Sequence, residues 1–271
     1  MSTMISIGSR SRRAEVRVEK PSLLQRGLPR RRIISTAAIV TFIIGWTILS
    51  HVAPTYAFPY WSKILNSLAN VPLPDVFTSL GRIVFSMALS FVFGVTCSAF
   101  LFERPDAEAF FMPLVKLLMA IPAVCWVVFA ILWFKGIEGR IFFVMVITCA
   151  PVFLIDSLDA MKNVPLELKE MARSFRPSRL QVIATIIIPG IVPNLLTSWK
   201  INLTLAVRVV TIAELVGAVN GIGHGLVLAQ EMFSISDVFA WTVVLVTILY
   251  ILQGLVTAAE HYLLRWRAVH S

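Results

Sequence analysis

Charge is scarce in this chain. Asp, Glu, Lys and Arg make up 14% of its 271 residues, against 58% hydrophobic. That balance excludes a soluble domain of this size, and the charge-free runs are long enough to be membrane spans. Cysteine is sparse as well. Cys97, Cys125 and Cys149 all fall inside apolar runs, and their odd number and irregular spacing fit no metal site, so they read as buried small residues. Histidine is equally thin. His51, His224, His261 and His270 are scattered, with no His/Glu/Asp cluster at metal spacing and no Ser/His/Asp set at comparable depth, which argues against catalysis. No Walker-type phosphate loop occurs. The first 32 residues contain no apolar core of the kind a signal peptide needs.

What charge there is has a pattern. The net charge is +9. Basic residues flank apolar runs instead of forming one soluble basic face, so nucleic acid is not the expected partner and membrane lipid is. Residues 1–32 carry nine of them: Arg10, Arg12, Arg13, Arg17, Lys20, Arg26, Arg30, Arg31 and Arg32. This segment reads as a disordered cytoplasmic tail that marks topology.

Taken in order, 33–50 is charge-free and reads as the first span. Residues 51–79 hold Pro54, Pro59, Pro72 and Pro74 with Tyr56, Phe58, Tyr60 and Trp61, which suits an extracytoplasmic loop with a short interfacial helix over 61–69. The core would then run from 80 to 267. Its spans are expected at 83–102, at 117–134 with a kink at Pro122, at 139–158, at 180–210 broken by Pro189 and Pro193, and at 238–259. Residues 214–237 read as a loop, and Gly217, Gly221, Gly223 and Gly225 as turn glycines. The expected class is therefore an all-α integral membrane protein with about six transmembrane helices. With both termini in the cytoplasm, all but six of the 24 Lys/Arg fall on the inner side; the exceptions are Lys63, Arg82, Lys135, Arg140, Lys200 and Arg208.

The most charged stretch between the first and last long apolar runs is 165–189. Leu168, Met171, Ala172 and Phe175 fall at i, i+3, i+4 and i+7 and make one apolar stripe on a helix over 165–176. Glu167, Lys169, Glu170 and Arg173 lie off that stripe. Pro165 suits a first helical turn, and Pro177 disfavours helical geometry at Arg176. Ser178 and Gln181 then read as a capping box that opens the next helix. A helix this short cannot span a bilayer, so its stripe must lie on lipid, on its own chain or in a partner's groove.

This stretch resembles the EAA loop of binding-protein-dependent ABC importer permeases, with Glu170-Met171-Ala172 at the triplet and Ile186, Ile188 and Pro189 in register for the family's Ile-x-Leu-Pro. Met171 stands where the family has Ala, and Arg176 where it has Gly. Further pieces are similar to the nitrate/sulfonate/taurine branch. They are Ser79-Leu80-Gly81-Arg82; Pro122, Trp126 and Leu132-Trp133-Phe134-Lys135-Gly136-Ile137-Glu138; Ala213-Glu214 with Gly221-Ile222-Gly223; and Glu260-His261-Tyr262-Leu263-Leu264-Arg265-Trp266. Lys135 replaces one family glycine.

The resemblance implies a type I importer permease fold with a cytoplasmic coupling helix. It also implies two ABC ATPase subunits, a second permease copy in a homodimer, and a periplasmic or lipid-anchored substrate-binding protein in the cell inner membrane. ATP and Mg would sit on the ATPase, with no cofactor bound by this chain. Glu167, Glu170, Met171, Ala172, Arg173, Phe175, Arg176 and Pro189 would carry the coupling. Met171 and Phe175 would plug an apolar groove, and Glu170 and Arg173 would pair with each other or with the ATPase.

Ionisable groups at membrane depth are costly and mark pathways or partners. Lys200 and Arg208 are a little over two helical turns apart, near one face, with Asn202, Thr204 and Glu214 close in sequence. They are candidates to line a path for an anion. Lys200 equally suits an ion pair with Asp156 or Glu214, or a side chain reaching back to the interface. Two other readings compete with the permease: a self-contained secondary transporter or channel, and an integral membrane enzyme.

Overall fold

The computed structural model describes residues 28–54, 57–165, 181, 185 and 187–264, with side chains from residue 34 onward. The expected coupling helix over 165–176 lies outside the described residues, apart from Pro165. The chain divides after Ala53 into two units. The first contains α1 (Leu28–Val52), which includes an apolar stretch of 19 residues, Ile34–Val52, long enough to cross a membrane.

All the other elements belong to the second unit. They are α2 (Trp61–Ala69), α3 (Leu73–Glu103), α4 (Pro105–Ala120), α5 (Ala123–Trp133), α6 (Ile137–Lys162), α7 (Ile188–Leu215), α8 (Ile222–Glu231) and α9 (Ile235–Leu263). With α1, the long apolar helices α3, α6, α7 and α9 make five candidate spans, and α4 with α5 makes a sixth if the bent pair counts as one.

Several expectations are corrected. The third span is not a kinked helix over 117–134. Pro122 has no N–H to give and holds Ile121 extended (φ −78°, ψ 122°), so α4 and α5 meet at 94°. The second span starts at Leu73, inside the stretch read as loop. Pro74 occupies the first turn, where its missing N–H is harmless, and Asp75 faces the positive helix end. Pro193 lies inside α7 without ending it. Residues 222–231 are helical, not loop. Of the cysteines, Cys149 is buried, Cys97 half-buried and Cys125 exposed.

α6 is the central element. It packs on α3 along one side and on α7 along another, and buries Ile141, Val144, Met145, Cys149, Phe153 and Leu158. Small residues let α3 come close. Ser86, Ser90 and Gly94 recur every fourth position, and a Cβ on Gly94 would meet the Ala150 carbonyl oxygen and Phe153 Cβ, each at 2.7 Å. Phe91, Phe153 and Trp199 join α3, α6 and α7, with ring centroids 5.3–5.8 Å apart. One end of the bundle carries the Lys162–Glu108 ion pair between α6 and α4. The opposite end carries the starts of α3, α6 and α9 and the end of α7.

Candidate functional site

That opposite end holds a buried polar hub built on Arg82. Arg82 sits on the third turn of α3, only 4% exposed. A guanidinium has five N–H donors in a planar fork, and burial makes each unmade bond costly. All five are used. Nε donates to Glu138 Oε2 at 3.1 Å and Oε1 at 3.2 Å. Nη1 donates to Glu214 Oε1 at 2.8 Å and to the Asn220 carbonyl at 3.0 Å. Nη2 donates to Glu138 Oε1 at 2.5 Å and to Asn220 Oδ1 at 2.7 Å.

Glu214 is the buried acid of the hub, 1% exposed near the end of α7. Besides Arg82 it accepts from the Ser79 hydroxyl, 2.7 and 2.8 Å from its two oxygens, and from the Gly223 N–H at 2.9 Å. Ser79 in turn accepts the Ile222 N–H at 2.8 Å, and Asp75 accepts the Gly221 N–H at 2.9 Å. The acids and the serine thus take up the unpaired N–H groups where α8 begins.

This explains why glycine recurs at 221 and 223. Gly221 has φ +106°, and a Cβ there would lie 2.6 Å from Glu214 Oε1 and 2.9 Å from Arg82 Nη1. A Cβ on Gly223 would lie 2.4 Å from Glu214 Cβ. Gly217 keeps its expected turn role at φ +147°, whereas Gly225 is helical and pressed on the Trp241 ring, where a Cβ would come within 2.3 Å.

The hub gathers three motif pieces that lie far apart in sequence: Ser79 to Arg82, Glu138, and Glu214 with Gly221 to Gly223. Sequence reasoning gave Arg82, Glu138, Asp75 and Asn220 no site role. Arg82 and Glu138 did carry a signal, because each is an ionisable group beside a long charge-free run, and such groups are found paired.

The pathway candidates separate. Glu214 belongs to the hub and does not meet Lys200. Lys200 pairs instead with Glu260 of α9. Asp156 accepts from the Ser198 hydroxyl. Asn202 is fully buried; its Nδ2 donates to the Ser198 carbonyl at 3.2 Å and Oγ at 3.3 Å, while Oδ1 has no partner among the described residues. Thr204 accepts from Gln253 Nε2 at 3.1 Å. Arg208 is exposed on α7 and has no ion-pair or hydrogen-bond partner among the described residues. Pro189 occupies the first turn of α7. No group of three or more metal-ligating side chains occurs among the described residues.

Comparison with known proteins places this architecture. Residues 90–268 match the family described as the binding-protein-dependent transport system inner membrane component. The chain is 25% identical to the taurine transport system permease protein of Escherichia coli K12, covering 86% of this chain and 88% of that one. It is 22% identical to a bicarbonate transport system permease protein of Synechococcus elongatus, over 69% and 68% of the two chains. It is 31% identical to the riboflavin transport system permease protein of Chloroflexus aurantiacus, over 58% of each. In fold it resembles a chain of the MetNI methionine ABC transporter in an inward-facing conformation, with TM-score 0.64 and 19% identity, over 70% of this chain and 95% of that one. These likenesses remove the readings as a self-contained transporter and as a membrane enzyme. The chain belongs to the binding-protein-dependent transport system inner membrane component family: it is a multi-pass permease subunit of an ABC importer with the type I fold, working with a separate ATPase and a substrate-binding protein.

Proposed function

We propose that this permease imports a small solute that carries an anionic group, such as nitrate, bicarbonate, an alkanesulfonate or the zwitterion taurine, as a homodimer with two ATPase subunits. The observation that carries the anion is Arg208. The relatives' names divide between charged solutes and riboflavin, so the sign of the cargo is argued from the chain itself. Lys200 is neutralised by Glu260, and Glu214 by Arg82 and its hydrogen bonds. Arg208 alone of the pathway candidates leaves an unbalanced charge on an exposed helix face, where a water-filled path between two copies would hydrate it and a passing anion would be drawn to it. Thr204 and Asn202 lie one and about two turns further along α7 towards Lys200.

In this reading both termini are cytoplasmic, and the Lys162–Glu108 end of the bundle faces the cytoplasm. The segment between α6 and α7 then meets the ATPase. Glu167, Glu170, Met171, Ala172, Arg173, Phe175 and Arg176 form the coupling face, and Pro189 starts the span behind it. ATP and Mg are held by the ATPase subunits.

The test is ATPase coupling in proteoliposomes. The chain is co-expressed with its ATPase, and binding proteins loaded with taurine, an alkanesulfonate, nitrate, bicarbonate or riboflavin are added in turn. An anion-loaded binding protein should stimulate hydrolysis several-fold, and Glu170→Ala should abolish the stimulation. Stimulation by the riboflavin-loaded protein alone would overturn the anionic cargo. Full stimulation of Glu170→Ala would remove Glu170 from coupling.

A further inference from the structure

The end of the bundle that carries the hub also exposes an apolar knob. Met232 and Phe233 lie between α8 and α9 and are 75% and 90% exposed. Phe233 is the only non-glycine residue with positive φ among the described residues, at +52°. Its backbone closes α8 in a Schellman motif. The Phe233 N–H donates to the Gln230 carbonyl at 3.0 Å, and the Ser234 N–H to the Ala229 carbonyl at 2.9 Å. Glycine ordinarily takes this position, because a Cβ there crowds the backbone. A benzyl side chain therefore costs stability at 233, and its exposure means that no burial within the chain offsets the cost. The two bonds hold the backbone, so the ring is presented on a fixed stem.

A second observation lies beside the knob. A cleft of about 280 Å³ is lined by Met232, Leu228 and Trp241 and by two carboxylates, Asp75 and Asp237. No Lys or Arg among the described residues lines it, and neither acid is in an ion pair among them. Anionic lipid headgroups are a poor match, because they repel unpaired carboxylates. A protein surface with an apolar hollow for the ring and a basic side chain for the cleft suits both features.

We propose that Met232 and Phe233, with the cleft beside them, anchor the substrate-binding protein, which seats an apolar hollow on Phe233 and a Lys or Arg against Asp75 and Asp237. The proposal rests on the family membership and on the cytoplasmic placement of the Lys162–Glu108 end, and not on the charge of the solute.

It is tested in the full complex with its ATPase, using the loaded binding protein that stimulates hydrolysis in the assay above. Phe233→Gly removes the ring and suits the left-handed backbone, so the unfolding midpoint should not fall below that of wild type. The binding-protein concentration for half-maximal stimulation should rise about tenfold or more. Asp237→Asn should raise it about threefold and flatten its dependence on salt, which screens an ion pair at the rim of an interface. An unchanged half-maximal concentration in Phe233→Gly would overturn the proposal and leave the ring to lipid. Loss of the permease pair in Phe233→Gly would give the surface to a second copy of this chain and overturn it as well. Phe233→Cys checks the orientation separately, in a chain whose Cys97, Cys125 and Cys149 are replaced by Ala. A membrane-impermeant maleimide applied to intact spheroplasts should label it, and the binding protein should shield it. Labelling only after the membrane is opened would overturn the orientation and the anchor together, whereas labelling from outside that the binding protein does not slow would overturn the anchor alone.

Discussion

Replacing Gly223 by Ala puts the geometry of the hub to a quantitative test. The new Cβ would sit 2.4 Å from Glu214 Cβ, 2.6 Å from the Thr211 carbonyl oxygen and 2.9 Å from the Leu215 nitrogen. Two are backbone atoms and the third is fixed to the backbone, so no rotamer change relieves them. Carbon atoms pack at about 3.5–4.0 Å, so the start of α8 must retreat from α7 by roughly 1 Å. Overpacking of this kind costs about 1–3 kcal/mol. The retreat also breaks the 2.9 Å bond from the Gly223 N–H to Glu214 Oε2, a bond to a charged group and so worth about 1.5–3 kcal/mol. Alanine returns about 1 kcal/mol of helix propensity. The net destabilisation is about 1.5–5 kcal/mol. Gly254→Ala is the control, because nothing lies within 4 Å of a Cβ there. Reversible unfolding in mixed detergent micelles should separate the two variants by at least about 2 kcal/mol. Equal stability would mean that α8 does not press on Glu214, and the account of the Gly-Ile-Gly sequence would fail.

Arg208→Ala should raise the concentration for half-maximal uptake tenfold or more in proteoliposomes while leaving assembly with the ATPase intact; unchanged concentration dependence would take Arg208 out of the path. Lys200→Ala should change the same quantity less than about twofold, because Lys200 is already balanced by Glu260 and partly exposed ion pairs contribute little, roughly 0–1 kcal/mol. A Lys200→Ala effect as large as that of Arg208→Ala would show that Lys200 meets the solute in another conformation.

Spans announce themselves in sequence because the bilayer demands long uncharged runs, and α1, α3, α6, α7 and α9 all cover stretches picked out on that basis. Their ends were less legible. Pro72 and Pro74 look like loop residues until a helix starts on them, and a proline in a first turn breaks nothing. Pro122 was legible as a disturbance but not as a right-angle turn, since the angle depends on what α4 and α5 pack against. The short helix over 61–69 was found from the prolines and interfacial aromatics around it, and it buries Ile64. α8 was missed because two of its glycines are there to let Glu214 and Trp241 approach, and that reason is tertiary. The hub itself was present only as fragments. Ser79 and Glu214 are 135 residues apart, and Arg82 and Glu138 are 56 apart. No local pattern states that they meet.

Charge accounting at membrane depth ties these observations together. A lone charged side chain at the centre of a spanning helix costs roughly 2.5–3.5 kcal/mol on insertion scales, so each such group needs a partner. Arg82 has two acids and Lys200 has one. Asp156 has the Ser198 hydroxyl. Those partners come from other helices of the same chain, so their charges hold one subunit together and offer little to a solute. Arg208 breaks the rule within the chain. It lies seven residues before the end of α7, about 10 Å from it along the helix, with its side chain exposed. Its compensation must come from outside the described chain. On the proposed pairing of two copies, the water and anions of a shared path would supply it. If Arg208→Ala weakens uptake and Lys200→Ala does not, the two kinds of charge are separable: those paired across helices stabilise the permease, and the one left open meets the cargo.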